Sequence, residues 1–185
     1  MRPDRRDPPR RGEMRHGHGR FDVLRATAAC LGCLLIGGCG CERGSDLRPG
    51  QQAERNDRSQ MEQATVTIKG HEFQVAVART PDEQRVGLMN VASDELGQDE
   101  GMLFVFPRER QLYFWMKNTI MPLDIAYINA QGQIVQTHTM KALDTSQYPS
   151  VRPAQYALEV HAGRLEALSI RQGDVAQITF KALKP

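Results

Sequence analysis

The sequence predicts a mainly β, α+β domain: a compact barrel-like or sandwich sheet of about eight short strands with one or two short helices. Three observations predict it. Apolar and polar residues alternate with period two in several runs between Ala64 and Phe180. One run, Gly101 to Phe106, is continuously apolar and stops at Pro107, as a strand buried on both faces would. Finally, Gly, Asn and Pro punctuate the runs at short intervals, and helix-start chemistry is clear at only one place.

Ala64-Thr-Val-Thr-Ile-Lys69 and Glu72-Phe-Gln-Val-Ala-Val-Ala78 alternate on either side of Gly70-His71, which reads as a β-hairpin. Thr80-Pro81-Asp82-Glu83 is a capping box with proline at the first helical position, so a short helix to Leu88 or Met89 follows. The strand ending at Pro107 is succeeded by a strand over Gln111–Met116 and another over Leu123–Ile128. Asn129-Ala-Gln-Gly132 is a turn, with glycine free to take positive φ, and Gln133–Thr139 returns as its partner. Asp144–Pro153 reads as an irregular loop, Ala154–Val160 as a strand, Gly163–Ser169 as one or two helical turns, and Val175–Phe180 as the last strand.

The apolar content, 40% overall, is unevenly spread. Three zones result: a leader over 1–38, a lipidated tether over 39–63 and a single globular domain over 64–185. Ala26 to Gly38 is uncharged and preceded by Arg15, Arg20 and Arg25. It is too short to span a bilayer as a helix and has the layout of a signal peptide, with Met14 an alternative start. It ends Leu35-Ile36-Gly37-Gly38-Cys39, which resembles the lipobox of bacterial lipoproteins. The expectation is therefore lipidation at Cys39 and a membrane partner through that anchor. The chain would sit in the cell envelope facing the periplasm, and Gly40 in place of aspartate favours the outer membrane. Residues 42–63 are almost wholly polar and are expected to act as a flexible tether.

Cys30, Cys33, Cys39 and Cys41 are the chain's only cysteines, and all precede the domain. The domain itself thus has no thiol nucleophile, thiolate metal site or internal disulfide. From Cys39 onward the chain carries 16 Lys+Arg against 18 Asp+Glu. No basic stripe alternates with aromatics, so nucleic acid is not expected as a partner. The methionines and histidines show no M-x-M, M-x-x-M or H-x-x-x-H spacing, and no G-x-S-x-G, P-loop or H-E-x-x-H motif occurs. No metal and no cofactor is expected.

Several motifs follow one another in a fixed order. They are Arg85-Val-Gly-Leu-Met89, Glu100-Gly-Met-Leu-Phe-Val-Phe106, Phe114-Trp-Met-Lys-Asn-Thr-Ile-Met-Pro-Leu-Asp-Ile125, Tyr148-Pro-Ser150, Ala157-Leu-Glu-Val-His-Ala-Gly163 and Gly173-Asp174. Together they resemble the prokaryotic family known as domain of unknown function 192, over about Val66 to Phe180. The resemblance implies a compact, mostly β domain, often exported, with no established activity.

The densest motif suggests a site. Trp115, the only tryptophan, stands beside Lys117, Asn118, Thr119 and Asp124. An indole platform flanked by a lysine, an amide and a carboxylate could bind an anionic or sugar-like ligand, or a protein partner. Structural roles compete: Asn118 and Thr119 could satisfy loop backbone, and Asp124 could cap a helix or pair with Lys117. Arg85 and Glu100 read as members of structural ion pairs, or Arg85 as an anion contact. Glu159 interrupts an apolar strand, where alternation puts it on the face of Ala157. It is either solvent-facing or an inward carboxyl with a shifted pKa. The tentative ligand-binding set is Trp115, Lys117, Asn118, Asp124, Arg85 and Glu159. Two alternatives stand beside it: a hydrolase-like envelope enzyme using Asp124, Glu159 or Lys117, and a structural interaction module with no pocket.

Overall fold

The computed structural model describes residues 54–181. The leader, Cys39 and the first part of the expected tether lie outside the described residues. Nine strands and two short helices follow in order: β1 (Gln63–Ile68), β2 (His71–Ala78), α1 (Pro81–Val86), β3 (Glu100–Arg110), β4 (Tyr113–Phe114), β5 (Leu123–Ile128), β6 (Ile134–Met140), β7 (Tyr148–Pro149), β8 (Ala154–His161), α2 (Arg164–Ala167) and β9 (Ala176–Phe180).

Seven strands form one mixed sheet in the order β6-β5-β8-β3-β2-β1-β9, and β4 pairs with β7 in a two-stranded ribbon. The mainly β, α+β class is as the sequence predicts, but the sheet is open and not a closed barrel. Its edge strands meet at one end only, through a single bridge between Gln133 and Val175. There Gly132, at φ 80°, accepts from the Ala176 amide at 2.8 Å.

All ladders are antiparallel except β2–β3. A parallel pair needs a crossover, and residues 79–99, including α1, supply it. The sheet buries apolar side chains on both faces. One cluster joins Val66, Phe73, Val75, Leu103 and Leu158 to Leu165 and Ile170 near α2. The other joins Met102, Phe104, Ile125 and Tyr127 to Leu88, Val91 and Leu96 of the crossover and to Leu112, Met116 and Met121 of the β3–β5 connection. Fully burying each large side chain contributes about 1.5–3 kcal/mol. The candidate site lies in this second layer.

Local chemistry explains where the elements begin and end. Thr80 Oγ1 accepts from the Glu83 amide at 3.2 Å while Glu83 Oε2 accepts from the Thr80 amide at 2.8 Å, the expected capping box. The helix stops at Val86, earlier than the sequence suggests, because Gly87 turns to φ 50° beside Phe104. A Cβ on Gly87 would come within 3.2 Å of that ring. β3 does not end at Pro107 but runs to Arg110. The missing N–H is absorbed where the β3–β8 register shifts between Val105 and Arg110.

The strand expected over Gln111–Met116 shrinks to Tyr113–Phe114 because its flanking amides find loop acceptors. Leu112 N donates to Ser150 Oγ at 3.0 Å and Met116 N to Asp144 O at 2.7 Å. The supposed irregular loop therefore contains β7. In the first hairpin, Lys69 and Gly70 form the turn, both at positive φ, and His71 already opens β2.

The tether reading fails for residues 54–62, which are docked on the domain. Asn56 Nδ2 donates to Glu83 O and Gly87 O, each at 3.0 Å, and so satisfies carbonyls at the end of α1. Arg55 pairs with Glu95 at 2.9 Å, Arg79 with Glu62 at 2.6 Å, and Met61 packs against the second cluster. Polar composition implied solvation. Here those polar groups are instead used as specific partners.

Candidate functional site

β8 carries Ala157 and Glu159 on the face that packs against the crossover. The register sets Met102 of β3 and Ile125 of β5 on either side of Glu159. Only 4% of Glu159 is exposed. Burial alone pushes its carboxyl up to about 8, with no hydrogen bond or neighbouring charge opposing the shift. A carboxyl group in such a setting is neutral at pH 7 and can donate as well as accept.

The carboxyl faces a recess of about 30 Å³ that is also lined by Met89, Phe104, Phe114, Trp115 and Thr119. Each wall has a local cause. Met89 follows the left-handed turn at Gly87. Phe114 is fixed by β4–β7 pairing and stands edge-to-face on Phe104, with ring centroids 4.8 Å apart. Its other neighbour is Tyr127, at 5.8 Å, whose hydroxyl donates to Tyr148 O at 2.6 Å. The buried side chain of Met116 anchors the chain just past Trp115, leaving the indole 46% exposed.

The recess adjoins a cleft of about 400 Å³ and shares Gln84, Arg85, Phe104, Phe114 and Trp115 with it. That volume suits a small ligand. Arg110 sits at the cleft with its guanidinium 4.9 Å from the Phe106 ring centre. Arg85 lines both spaces, and Glu54 holds its guanidinium at 2.5 Å, with Asp82 at 3.9 Å. The Arg85 hydrogen bond draws the Glu54 carboxyl below its usual range, and Lys117 adds to the effect.

Of the residues singled out in the sequence, Trp115, Arg85 and Glu159 converge here, with Thr119. Lys117 lies alongside, its Nζ 5.4 Å from the Trp115 ring centre. Asn118 is structural. It adopts φ 57°, its carbonyl accepts from Asn90 N at 2.9 Å, and its side-chain amide reaches only Met89 Sδ at 4.0 Å. Glu100 pairs with Arg58 at 3.7 Å and accepts from Gly97 N.

Asp124 is in another place altogether. It opposes Val160, so it faces the other side of the sheet. Its Oδ1 accepts from Thr139 Oγ1 at 2.7 Å and its Oδ2 from Leu165 N at 3.0 Å, at the start of α2. A separate cavity of about 440 Å³ reaches Asp124 from that side, but both carboxyl oxygens are already engaged. Asp124 and Glu159 therefore cannot act as an acid–base pair, and Lys117 does not pair with Asp124.

Sequence reasoning missed Phe104, Phe114, Gln84 and Arg110 as cleft residues. The aromatic pair read as core because only the β3–β8 register, for Phe104, and the β4–β7 pairing, for Phe114, bring it beside Glu159. No group of three or more His, Cys, Asp or Glu capable of holding a metal exists among the described residues.

The sheet topology makes this a small, mainly β domain of the α+β class. Residues 64–178 match the model of DUF192, "Uncharacterized ACR", and the chain belongs to that family. No curated protein matches it. Among solved structures it is similar to a protein of unknown function from Novosphingobium aromaticivorans, with 30% identity and a TM-score of 0.62. That match covers 69% of this chain and 94% of the other. It is also similar to a protein from Sinorhizobium meliloti titled as a candidate transcription regulator, with 31% identity and a TM-score of 0.58. Here the coverage is 63% of this chain and 92% of the other.

Proposed function

We propose that this chain is an envelope-tethered lipoprotein whose β domain binds a small ligand in the cleft beside Trp115. One observation carries the binding reading: a buried carboxyl, Glu159, has no partner among the described residues and faces a recess that adjoins an aromatic cleft. An unpaired buried carboxyl costs stability, and a domain that only needed a core would fill the position with an apolar side chain. Trp115 supplies an exposed face for stacking, and Arg110 and Lys117 give the rim a basic character suited to acceptor groups on the ligand body. The membrane anchor rests on the Leu35–Cys39 lipobox-like sequence.

Trp115 is the only tryptophan, so its fluorescence reports the cleft directly. Titration with sets of amines, sugars, carboxylates and short peptides should give saturable quenching by one class, lost in Phe114→Ala. If no class quenches in the wild type, the binding reading falls. Cys39→Ala should abolish labelling by radioactive palmitate, and continued labelling would overturn the anchor.

A further inference from the structure

We propose that the Glu159 recess is the subsite for a primary ammonium group on the ligand that the Trp115 cleft holds. This rests on the binding reading above and names the chemistry of its deepest contact.

Size comes first. About 30 Å³ gives room for a small polar head group. An –NH₃⁺ fits it and brings N–H donors for the carboxyl, which a quaternary ammonium lacks. Charge comes second. The Glu159 carboxyl has no counter-charge among the described residues, and its oxygens reach the recess without being sealed in protein. Arg85 lines the recess, but Glu54 and Asp82 engage its guanidinium, and it does not depress Glu159. Phe104, Phe114 and Trp115 line the remaining walls and shield the carboxyl from bulk water, and Thr119 adds a hydroxyl acceptor. A divalent metal would need several oxygen ligands, and the side chains lining the recess offer a single carboxylate beside the Thr119 hydroxyl and the Gln84 amide.

Binding then has a defined proton balance. Protonated Glu159 and R–NH₃⁺ become the ion pair Glu159–COO⁻···⁺H₃N–R, and the carboxyl proton leaves to solvent. No other nearby group is placed to take over this titration. Arg85 faces the recess from α1 already paired, and the Tyr127 hydroxyl on β5 is donated to Tyr148 O. His161 on β8 is bonded to Leu96 O at 2.6 Å, and His138, across Ile125 on β6, to Pro149 O at 2.9 Å.

The test follows the Glu159 side-chain carboxyl by ¹³C NMR in the full chain, with the resonance assigned by its absence in Glu159→Gln. The probes are n-butylammonium chloride, 1-butanol and tetramethylammonium chloride. The expected result is that saturating n-butylammonium lowers the Glu159 titration midpoint by at least about one pH unit. The two other probes should leave it in place, and Glu159→Gln should weaken amine binding at least about tenfold. The inference is overturned if 1-butanol acts as strongly as the amine, leaving a hydroxyl or water subsite only, or if Glu159→Gln binds the amine as well as the wild type. An unmoved midpoint also overturns it. Failure of the ammonium inference is distinct from failure of the cleft reading: ligands would still quench Trp115 while the Glu159 resonance stayed fixed.

Discussion

Asp124 and Glu159 lie one residue out of register on neighbouring antiparallel strands, so they face opposite sides of the same sheet. Ile125, not Asp124, opposes Glu159, and Val160 opposes Asp124. Two carboxyl groups that look like partners in the sequence therefore serve different ends. Asp124 holds α2 and the β5–β6 ladder in place, while Glu159 is left unpaired at the bottom of a recess.

The first prediction concerns Asp124. Its two oxygens accept from Thr139 and from the Leu165 amide while the residue is 2% exposed. Asp124→Ala would orphan the buried amide of Leu165 at the start of α2 and take the acceptor from the exposed Thr139 hydroxyl. It should cost roughly 2–4 kcal/mol in urea denaturation, with Asp124→Asn milder. The Trp115 emission maximum of the folded variant should not move, because the cleft is on the other face. A loss below about 0.5 kcal/mol, within the range of ordinary surface substitutions, would show that Asp124 does not secure α2.

Gly101 gives a second prediction. It opposes Val160 at the start of β3, and a Cβ there would overlap the Glu159 carbonyl oxygen and crowd Val160 Cγ1 at 3.0 Å. Neither obstacle is the free end of a flexible side chain. Gly101→Ala should therefore destabilise by at least about 3 kcal/mol and weaken any ligand that reaches Glu159, since β8 must shift. Thermal melting with parallel Trp115 quenching measures both. A fully stable Gly101→Ala protein would mean that the β3–β8 approach is looser than described.

Much of this was legible in the residues. Period-two alternation located β1 and β2 nearly to the residue, β5, β8 and β9 were placed within a residue of their bounds between turn signals, and Thr80–Glu83 marked the start of α1. Glu159 could be set on the face of Ala157 from alternation alone. What the sequence withheld depends on contacts distant along the chain. Nothing local says that Asn56 will satisfy Glu83 and Gly87, so 54–62 read as solvated tether. Nothing local says that Leu112 and Met116 amides will turn to Ser150 and Asp144, so β4 read as a full strand. The site divided in the same way. Trp115, Arg85 and Glu159 stood out as unusual residues in their runs, but Asp124 was assigned to them because sequence order does not reveal which side of β5 faces β8's carboxyl.

The pH dependence of stability isolates Glu159. Its carboxyl titrates at about 8 when folded against an ordinary 4.5. Between those values the folded chain keeps a proton that the unfolded chain has released. Stability must then fall as pH rises through that window, by a few kcal/mol in all, because the unfolded state binds fewer protons there. Carboxylates held low in the folded state act in the opposite sense and in more acid solution. Desolvation works against Glu83, but amide bonds from Thr80 and Arg79 outweigh it, and the Ser146 amide does the same for Asp144. Their contributions are in place above the ordinary carboxylate pKa and are lost as pH drops below it. Glu159→Gln keeps the shape and removes the titration, so urea midpoints for the variant should stay nearly flat from pH 4.5 to 8 while the wild type declines. The two curves should separate most at the alkaline end, where the variant is the more stable protein. A wild-type curve that rises across the window would mean that the buried carboxylate is already paired when folded, and the recess would then have no charge left to offer a ligand.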